Sequence, residues 1–175
     1  MILEIKKYPE PILTKKAKRV KNIDQELQKL IDDMIETMYS APGAGLAAPQ
    51  VGHSIRLAVF DSSVKEEEGR LTVLINPEVI EKNGEVIMKE GCLSVPGFEA
   101  EIKRSEQVKV TGLDRNGQPI TIEASGFLAR VIQHEIDHLE GTLLIDRISI
   151  LKRNIFKRRF SKKQKIESKE QAAQE

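Results

Sequence analysis

The residues best suited to chemistry lie in one stretch, Gln133-His134-Glu135-Ile136-Asp137-His138-Leu139-Glu140-Gly141. It carries the pattern H-E-x-x-H. Residues four apart on an α-helix stand one turn apart on nearly the same face, so His134 and His138 can turn their imidazoles toward one metal ion. Glu135 lies beside them and can handle protons for a water at that ion. A divalent metal lowers the pKa of such a water to about 7 in favourable sites, which makes a nucleophile at neutral pH.

Two histidines do not complete a catalytic site, which wants a third protein ligand and an open position. The peptidase pattern H-E-x-x-H-x-x-G-x-x-H would place a third histidine where this chain has Leu144. A downstream glutamate is the other common solution. Glu140 lies too close, and Glu167, Glu170 and Glu175 lie in the basic tail. The remaining candidate is Cys92, the chain's only cysteine, in Glu90-Gly91-Cys92-Leu93-Ser94. A lone cysteine is more often a small buried apolar residue than a ligand. The Gly-flanked turn around Cys92, which can carry it to the metal, weighs the other way.

The elements that must position these residues read as follows. Asn22 or Asp24 can cap a helix running to about Ser40, with Ile23, Leu27, Leu30, Ile31, Met34, Ile35 and Met38 at helical spacing. The loop Ala41–Gln50 is small and glycine-rich, which lets backbone come close to another group. Arg56–Asp61 and Leu71–Asn76 are strand-like, separated by the polar loop Ser62–Arg70. Val79–Lys82 and Glu85–Met88 flank Asn83-Gly84, and Gln107–Asp114 and Gln118–Glu123 flank Asn116-Gly117; both read as hairpins. Ser125 is a plausible N-cap for a helix from Gly126 to Leu139, with Gly141 just past its end. Its apolar residues cover much of its surface, so this helix should be buried with the metal site inside the fold. A last helix starts near Ser149, docks through Ile150, Leu151, Ile155, Phe156 and Phe160, and frays over the final ten residues.

At 175 residues the chain is long enough for one domain with a sizeable core. No apolar run approaches the roughly 20 residues needed to span a bilayer, and the first residues do not read as a secretory signal. One cysteine excludes an intrachain disulfide and fits a reducing cytoplasm. Charge is uneven: nine basic against three acidic residues from Lys152 onward give the tail +6, which leaves −5 on the rest against a total of +1. That asymmetry points weakly to an anionic partner for the tail. The domain expectation is a unit over residues 1–150 and a basic C-terminal helix over 151–175.

Three blocks in order, Gly43-Ala44-Gly45-Leu46-Ala47-Ala48-Pro49-Gln50, Glu90-Gly91-Cys92-Leu93-Ser94 and Gln133-His134-Glu135-Ile136-Asp137-His138, resemble peptide deformylase of the bacterial type. The resemblance runs from Tyr8-Pro9 to the C-terminal helix, with no departure at a motif position. It implies an α+β fold: antiparallel or mixed β-sheets packed around a central metal-binding helix, with an N-terminal and a C-terminal helix. It implies a metal held by Cys92, His134 and His138, with Fe²⁺ typical and Zn²⁺, Ni²⁺ or Co²⁺ as substitutes. The reaction it implies removes the formyl group from N-formylmethionine at the start of newly made polypeptides and releases formate, in the bacterial cytoplasm. Water at the metal attacks the formyl carbon, with Glu135 as general acid and base. The Gln50 side-chain amide and the Leu93 backbone N–H serve the developing oxyanion. Substrate backbone would pair with the Gly45 loop and the Gly91 segment, and the methionine side chain would meet Ala44, Phe127 and Val131. The charge run of the tail reads first as a solvated helix face, with contact to ribosomal RNA as the alternative that the resemblance makes plausible; nothing indicates DNA or a membrane as partner. His53 reads as a surface histidine, and Asp137 as a residue that orients a ligand or pairs with an arginine. Two competing readings are a metallopeptidase, opposed by Leu144, and a non-enzymatic RNA- or ribosome-binding module, which would need a metal closed by four protein ligands.

Overall fold

The computed structural model describes residues 1–64 and 70–174. In chain order the elements are α1 (Gln25–Ser40), β1 (Gly45–Ala47), β2 (Leu57–Asp61), β3 (Leu71–Asn83), β4 (Val86–Cys92), β5 (Val95–Arg104), β6 (Gln107–Leu113), β7 (Pro119–Ser125), α2 (Gly126–Leu139) and α3 (Ile150–Ala172), with short 3-10 turns between them. The strands form a five-stranded antiparallel sheet in the order β1-β2-β3-β6-β7 and a separate two-stranded sheet, β4-β5. The α+β expectation holds. Part of the polar loop expected over Ser62–Arg70, residues 65–69, lies outside the described residues.

The larger sheet is covered on both faces, and β2 shows why. Its residues are all buried, and its apolar run Leu57-Ala58-Val59-Phe60 serves two cores at once. Leu57 and Val59 pack with Ile75 against Leu27, Ile31, Met34 and Met38 of α1. Phe60, one residue out of step, packs with Leu74, Val108 and Val110 against Ala129, Val131 and Ile132 of α2. The alternation of side chains along a strand thus assigns one helix to each face. Asp24, not Asn22, caps α1, accepting the Leu27 N–H at 2.9 Å.

Several expectations need correction. The loop Ala41–Gln50 contains an edge strand, β1, whose Gly45 to Ala47 pair with Phe60 to Ala58. Leu71–Asn76 and Val79–Lys82 are one strand with an irregularity between Ile75 and Glu78, where Asn76 sits at φ 51°. The Asn116-Gly117 hairpin is present: β6 and β7 pair from Gln107↔Ser125 to Leu113↔Pro119. The Asn83-Gly84 hairpin is not. There β3 stays with β6, pairing Lys82 with Val108, while β4 leaves for the second sheet and pairs with β5. Gly84, at φ 69°, makes a corner between sheets. Such a local turn signal fixes a backbone reversal and not its pairing partner. Cys92 lies at the end of β4, joined to β5 by the two-residue turn Leu93-Ser94. Ser125 precedes α2 without a side-chain cap bond.

The C-terminal helix also departs from expectation. Ile150 and Leu151 are exposed; docking falls to Phe156 and Phe160, whose rings meet Tyr8 at centroid distances of 5.6 and 4.9 Å. The last turns, set to fray, stay helical to Ala172, in keeping with their Lys, Glu, Gln and Ala. No helix among the described residues is long and apolar enough to cross a membrane. His53 is exposed, as expected.

Candidate active site

Helix α2 is mostly buried, and its ends are fixed by glycine. Gly126 starts it at φ 59°, and Gly141 follows it at φ 75°, where a Cβ would meet the Thr14 carbonyl oxygen at 2.7 Å. From this helix His134 and His138 turn toward the end of β4. Cys92 Sγ lies 3.3 Å from His138 Nε2, which lies 3.2 Å from His134 Nε2. The three ligand atoms all fall within 4.8 Å of one another, in the one such cluster among the described residues. Three lone-pair donors this close can share only protons among themselves. Metal bonds of about 2.0–2.3 Å at tetrahedral angles space such atoms roughly 3.3–3.8 Å apart, so the donor set fits a divalent ion with one position left open. Among the described residues no fourth protein ligand closes it.

The protonation pattern agrees. Burial, then the charge of His134 beside it, holds His138 well below the usual histidine range, which leaves it neutral and able to serve as a ligand. Burial opposes charge on His134 too, but the Cys92 sulfur and Glu90 outweigh it and lift His134 to about 10. The metal-free cluster thus keeps a proton at His134, and a bound cation takes that proton's place.

Glu135 is buried, and burial pushes its carboxyl up to about 7. Its Oε2 has no hydrogen-bond partner among the described residues. The carboxylate is wedged against β1: a Cβ built on Gly45 would lie 2.4 Å from Glu135 Oε1. Such a group is poised to exchange protons at neutral pH. Gln50, also buried, is fixed in sense by its neighbours. The Ala47 N–H donates to its Oε1 at 2.9 Å, so its Nε2 must face Ser94 Oγ, 3.1 Å away, and Cys92 Sγ, 3.8 Å away. The Leu93 N–H lies in the turn beside Cys92.

These groups open onto a cleft of about 840 Å³. Ala44, Gly45, Gln50, Gly91, Leu93, Phe127 and Val131 all line it. Phe127, Val131 and Ala44 also belong to the core cluster beneath α2, so cleft wall and core packing are one surface here.

Sequence reasoning missed the groups behind the ligands. Glu90 accepts from His134 Nδ1 at 3.1 Å and is held by both Arg104 Nε and Nη2, at 3.0 and 2.9 Å. Burial alone would raise its pKa; the bonds from His134 and Arg104 outweigh that and hold it at about 2. Arg104 also donates to Asp137, which accepts two further bonds from Arg147 at 2.7 and 2.6 Å. The expectation that Asp137 pairs with an arginine was sound and undercounted. A signal for Glu90 existed: it stands two residues before Cys92, hence on the same face of a strand. Arg104, twelve residues further on, carried none.

The chain's relatives agree with this geometry. The sequence profile of the polypeptide deformylases matches residues 2–154. The peptide deformylase of Thermodesulfovibrio yellowstonii is 60% identical over 162 residues, 93% of this chain and 98% of that protein. That of Syntrophobacter fumaroxidans is 54% identical over 164 residues, 94% and 96% of the two. Among solved structures, a peptide deformylase from Legionella pneumophila superposes with a TM-score of 0.87 at 44% identity, covering 96% of this chain and 98% of that one. The Ehrlichia chaffeensis peptide deformylase in complex with actinonin gives 0.86 at 40% identity, covering 93% and 97%. With its ligand cluster, cleft and near full-length relatives in agreement, this chain belongs to the polypeptide deformylase family.

Proposed function

We propose that the chain hydrolyses the formyl amide of N-formylmethionine at the start of newly made polypeptides and releases formate, with the residue roles set out here. The observation that carries these roles is the convergence of Cys92, His134 and His138 beside a buried Glu135, at the head of the cleft. Those three residues would hold a divalent ion, which would supply a water of lowered pKa and a Lewis acid for the formyl carbonyl. Glu135, near pKa 7, takes the water's proton and passes it to the leaving amine. Gln50 Nε2 and the Leu93 N–H donate to the formyl oxygen as it gains negative charge. Gly45 and Gly91 let the peptide backbone come close as an added strand. Ala44, Phe127 and Val131 hold the methionine side chain.

The native ion in this reading is Fe²⁺, with Zn²⁺, Ni²⁺ or Co²⁺ able to replace it. The resemblance supports iron; the donor set alone does not choose. The reading places the enzyme in the bacterial cytoplasm, where its substrates are made. Residues 1–150 form the catalytic unit, and 151–175 an appended basic helix, docked by Phe156 and Phe160, that contacts ribosomal RNA through its positive charge. Formate release from formyl-Met-Ala-Ser, with casein left intact, tests the reaction; casein cleavage without formate would overturn it. Metal analysis of anaerobically purified protein tests the ion. Charge reversal at Lys162, Lys163 and Lys165 should weaken co-sedimentation with ribosomes, and equal binding across a salt series would remove that contact.

A further inference from the structure

Seven charged or chargeable side chains line the cleft: Lys89, Glu90, Cys92, Glu99, Arg130, His134 and Glu135. Cys92, His134 and Glu135 belong to the site chemistry, and Glu90 is buried on Arg104 at 2.9 Å. Lys89 and Glu99, on the β4–β5 wall, neutralise each other at 3.1 Å. Arg130 alone has no acidic partner among the described residues. It is half-buried, one turn before His134 on α2, with its guanidinium carbon 5.1 Å from the centroid of the Phe127 ring. The stacking holds the cation in place without neutralising it. Phe127 and Val131 form an apolar wall of the cleft, and Arg130 lines the cleft beside them.

We propose that Arg130 is a specificity-determining residue: it selects for negative charge in the substrate residues that directly follow formylmethionine. The inference rests on the deformylase reading of the cleft. A peptide whose methionine lies against Phe127 and Val131 must pass its next residues along the cleft mouth. Arg130 supplies a positive charge that no acidic group among the described residues compensates, while Lys89 and Glu99 cancel each other. Aspartate or glutamate at those positions gains attraction, and lysine or arginine meets repulsion. The effect is of the size expected for solvent-facing charges and shrinks with salt.

The experiment compares kcat/KM for formyl-Met-Asp-Ser, formyl-Met-Lys-Ser and the corresponding pair with the charge moved to the third position, each relative to formyl-Met-Ala-Ser on the same enzyme. At low ionic strength the wild type should prefer the acidic member of at least one pair by about three- to tenfold. Arg130→Gln should bring that ratio toward one, Arg130→Lys should retain it, and Arg130→Glu should invert it. Added salt should collapse the wild-type ratio. Equal ratios in wild type and Arg130→Gln would overturn the proposal while leaving the deformylase reading intact. No formate from formyl-Met-Ala-Ser with the metal-loaded wild type would take both down.

Discussion

Gly45→Ala should separate the catalytic role of Glu135 from the stability of the fold. Gly45 lies in β1, with no positive φ that a side chain would strain. A Cβ there would stand 2.4 Å from Glu135 Oε1, 2.9 Å from its Cδ and 3.0 Å from its Cγ. Ordinary contact begins near 3.4 Å, so the carboxylate must retreat by about 1 Å. All three clashing atoms belong to one side chain with rotatable bonds, so the backbone need not move, and the stability cost should fall at or below the low end of the roughly 1–3 kcal/mol typical of overpacking. Catalysis is less forgiving. A misplacement of about 1 Å in a reacting group costs on the order of 100-fold, roughly 2.7 kcal/mol of barrier. The variant should therefore keep its metal and nearly its wild-type midpoint in urea, while kcat for formyl-Met-Ala-Ser, followed by coupled formate oxidation, falls about 100-fold. Gly43→Ala is the comparison that leaves Glu135 untouched, since its Cβ would press on Leu93 Cδ1 at 3.0 Å and reach the Gly45 and Met38 carbonyl oxygens only at 3.6 and 3.7 Å. A folded, metal-replete Gly45→Ala enzyme with wild-type kcat would refute the assignment of Glu135 as the proton carrier at a fixed position.

Three further outcomes follow from the same contacts. Glu135→Ala should retain the metal, because Glu135 is not among the ligands, and lose at least about 100-fold in turnover; unchanged turnover would deny it acid–base work. Glu90→Ala removes the acceptor for His134 Nδ1 and one of two anchors of buried Arg104, so it should destabilise by about 3 kcal/mol and weaken metal binding about 10- to 100-fold, read by denaturation and by competition with a chelator. Tyr39, whose hydroxyl donates to Asp61, is lifted to about 12 from the usual 10, first by that bond and then by burial and the aspartate's charge. The folded pKa exceeds the unfolded one, so the bond's stabilisation is complete below pH 10 and is lost as pH climbs through 12. Ultraviolet titration of a Tyr8→Phe chain, which leaves Tyr39 as the only tyrosine, should show a single late transition; titration near 10 would contradict the contact.

What the sequence made legible was local. The two histidines declared themselves by helical spacing, and α1 by its apolar stripe and its aspartate cap. The Asn116-Gly117 hairpin followed from its turn chemistry. Where the reading failed, the deciding term was a partner distant in sequence. Asn83-Gly84 carries the same turn signal as Asn116-Gly117, yet β3 takes its neighbour from Gln107 onward and β4 from Val95 onward. Ile150 and Leu151 look like docking residues on a helix, but they stay exposed and the contact is made by Phe156 and Phe160 on Tyr8. Gly45 reads as loop flexibility; the structure makes it a strand residue whose missing side chain is the space Glu135 occupies.

The ionic chain Glu90–Arg104–Asp137–Arg147 is better understood as a positioning device than as a source of stability. Burying three of these charges, Glu90, Arg104 and Asp137, is expensive, and well-packed apolar residues of similar volume would hold a sheet on a helix at least as firmly. Apolar contacts, however, tolerate sliding, and sliding is what this site cannot survive. The candidate ligands come from two separate elements: His134 and His138 from α2, beneath the larger sheet, and Cys92 from the end of β4 in the smaller one. A one-residue slip of β4 would turn Cys92 to the opposite face and remove a ligand. Glu90 lies on the ligand face of the same strand, grips His134 directly, and is forked by Arg104 from β5. Arg104 in turn binds Asp137, one residue before His138. Each link has directional geometry, so only one register of the small sheet on α2 satisfies them all. The cluster that sets the metal distances is therefore tied by hydrogen bonds to the cluster that sets the register.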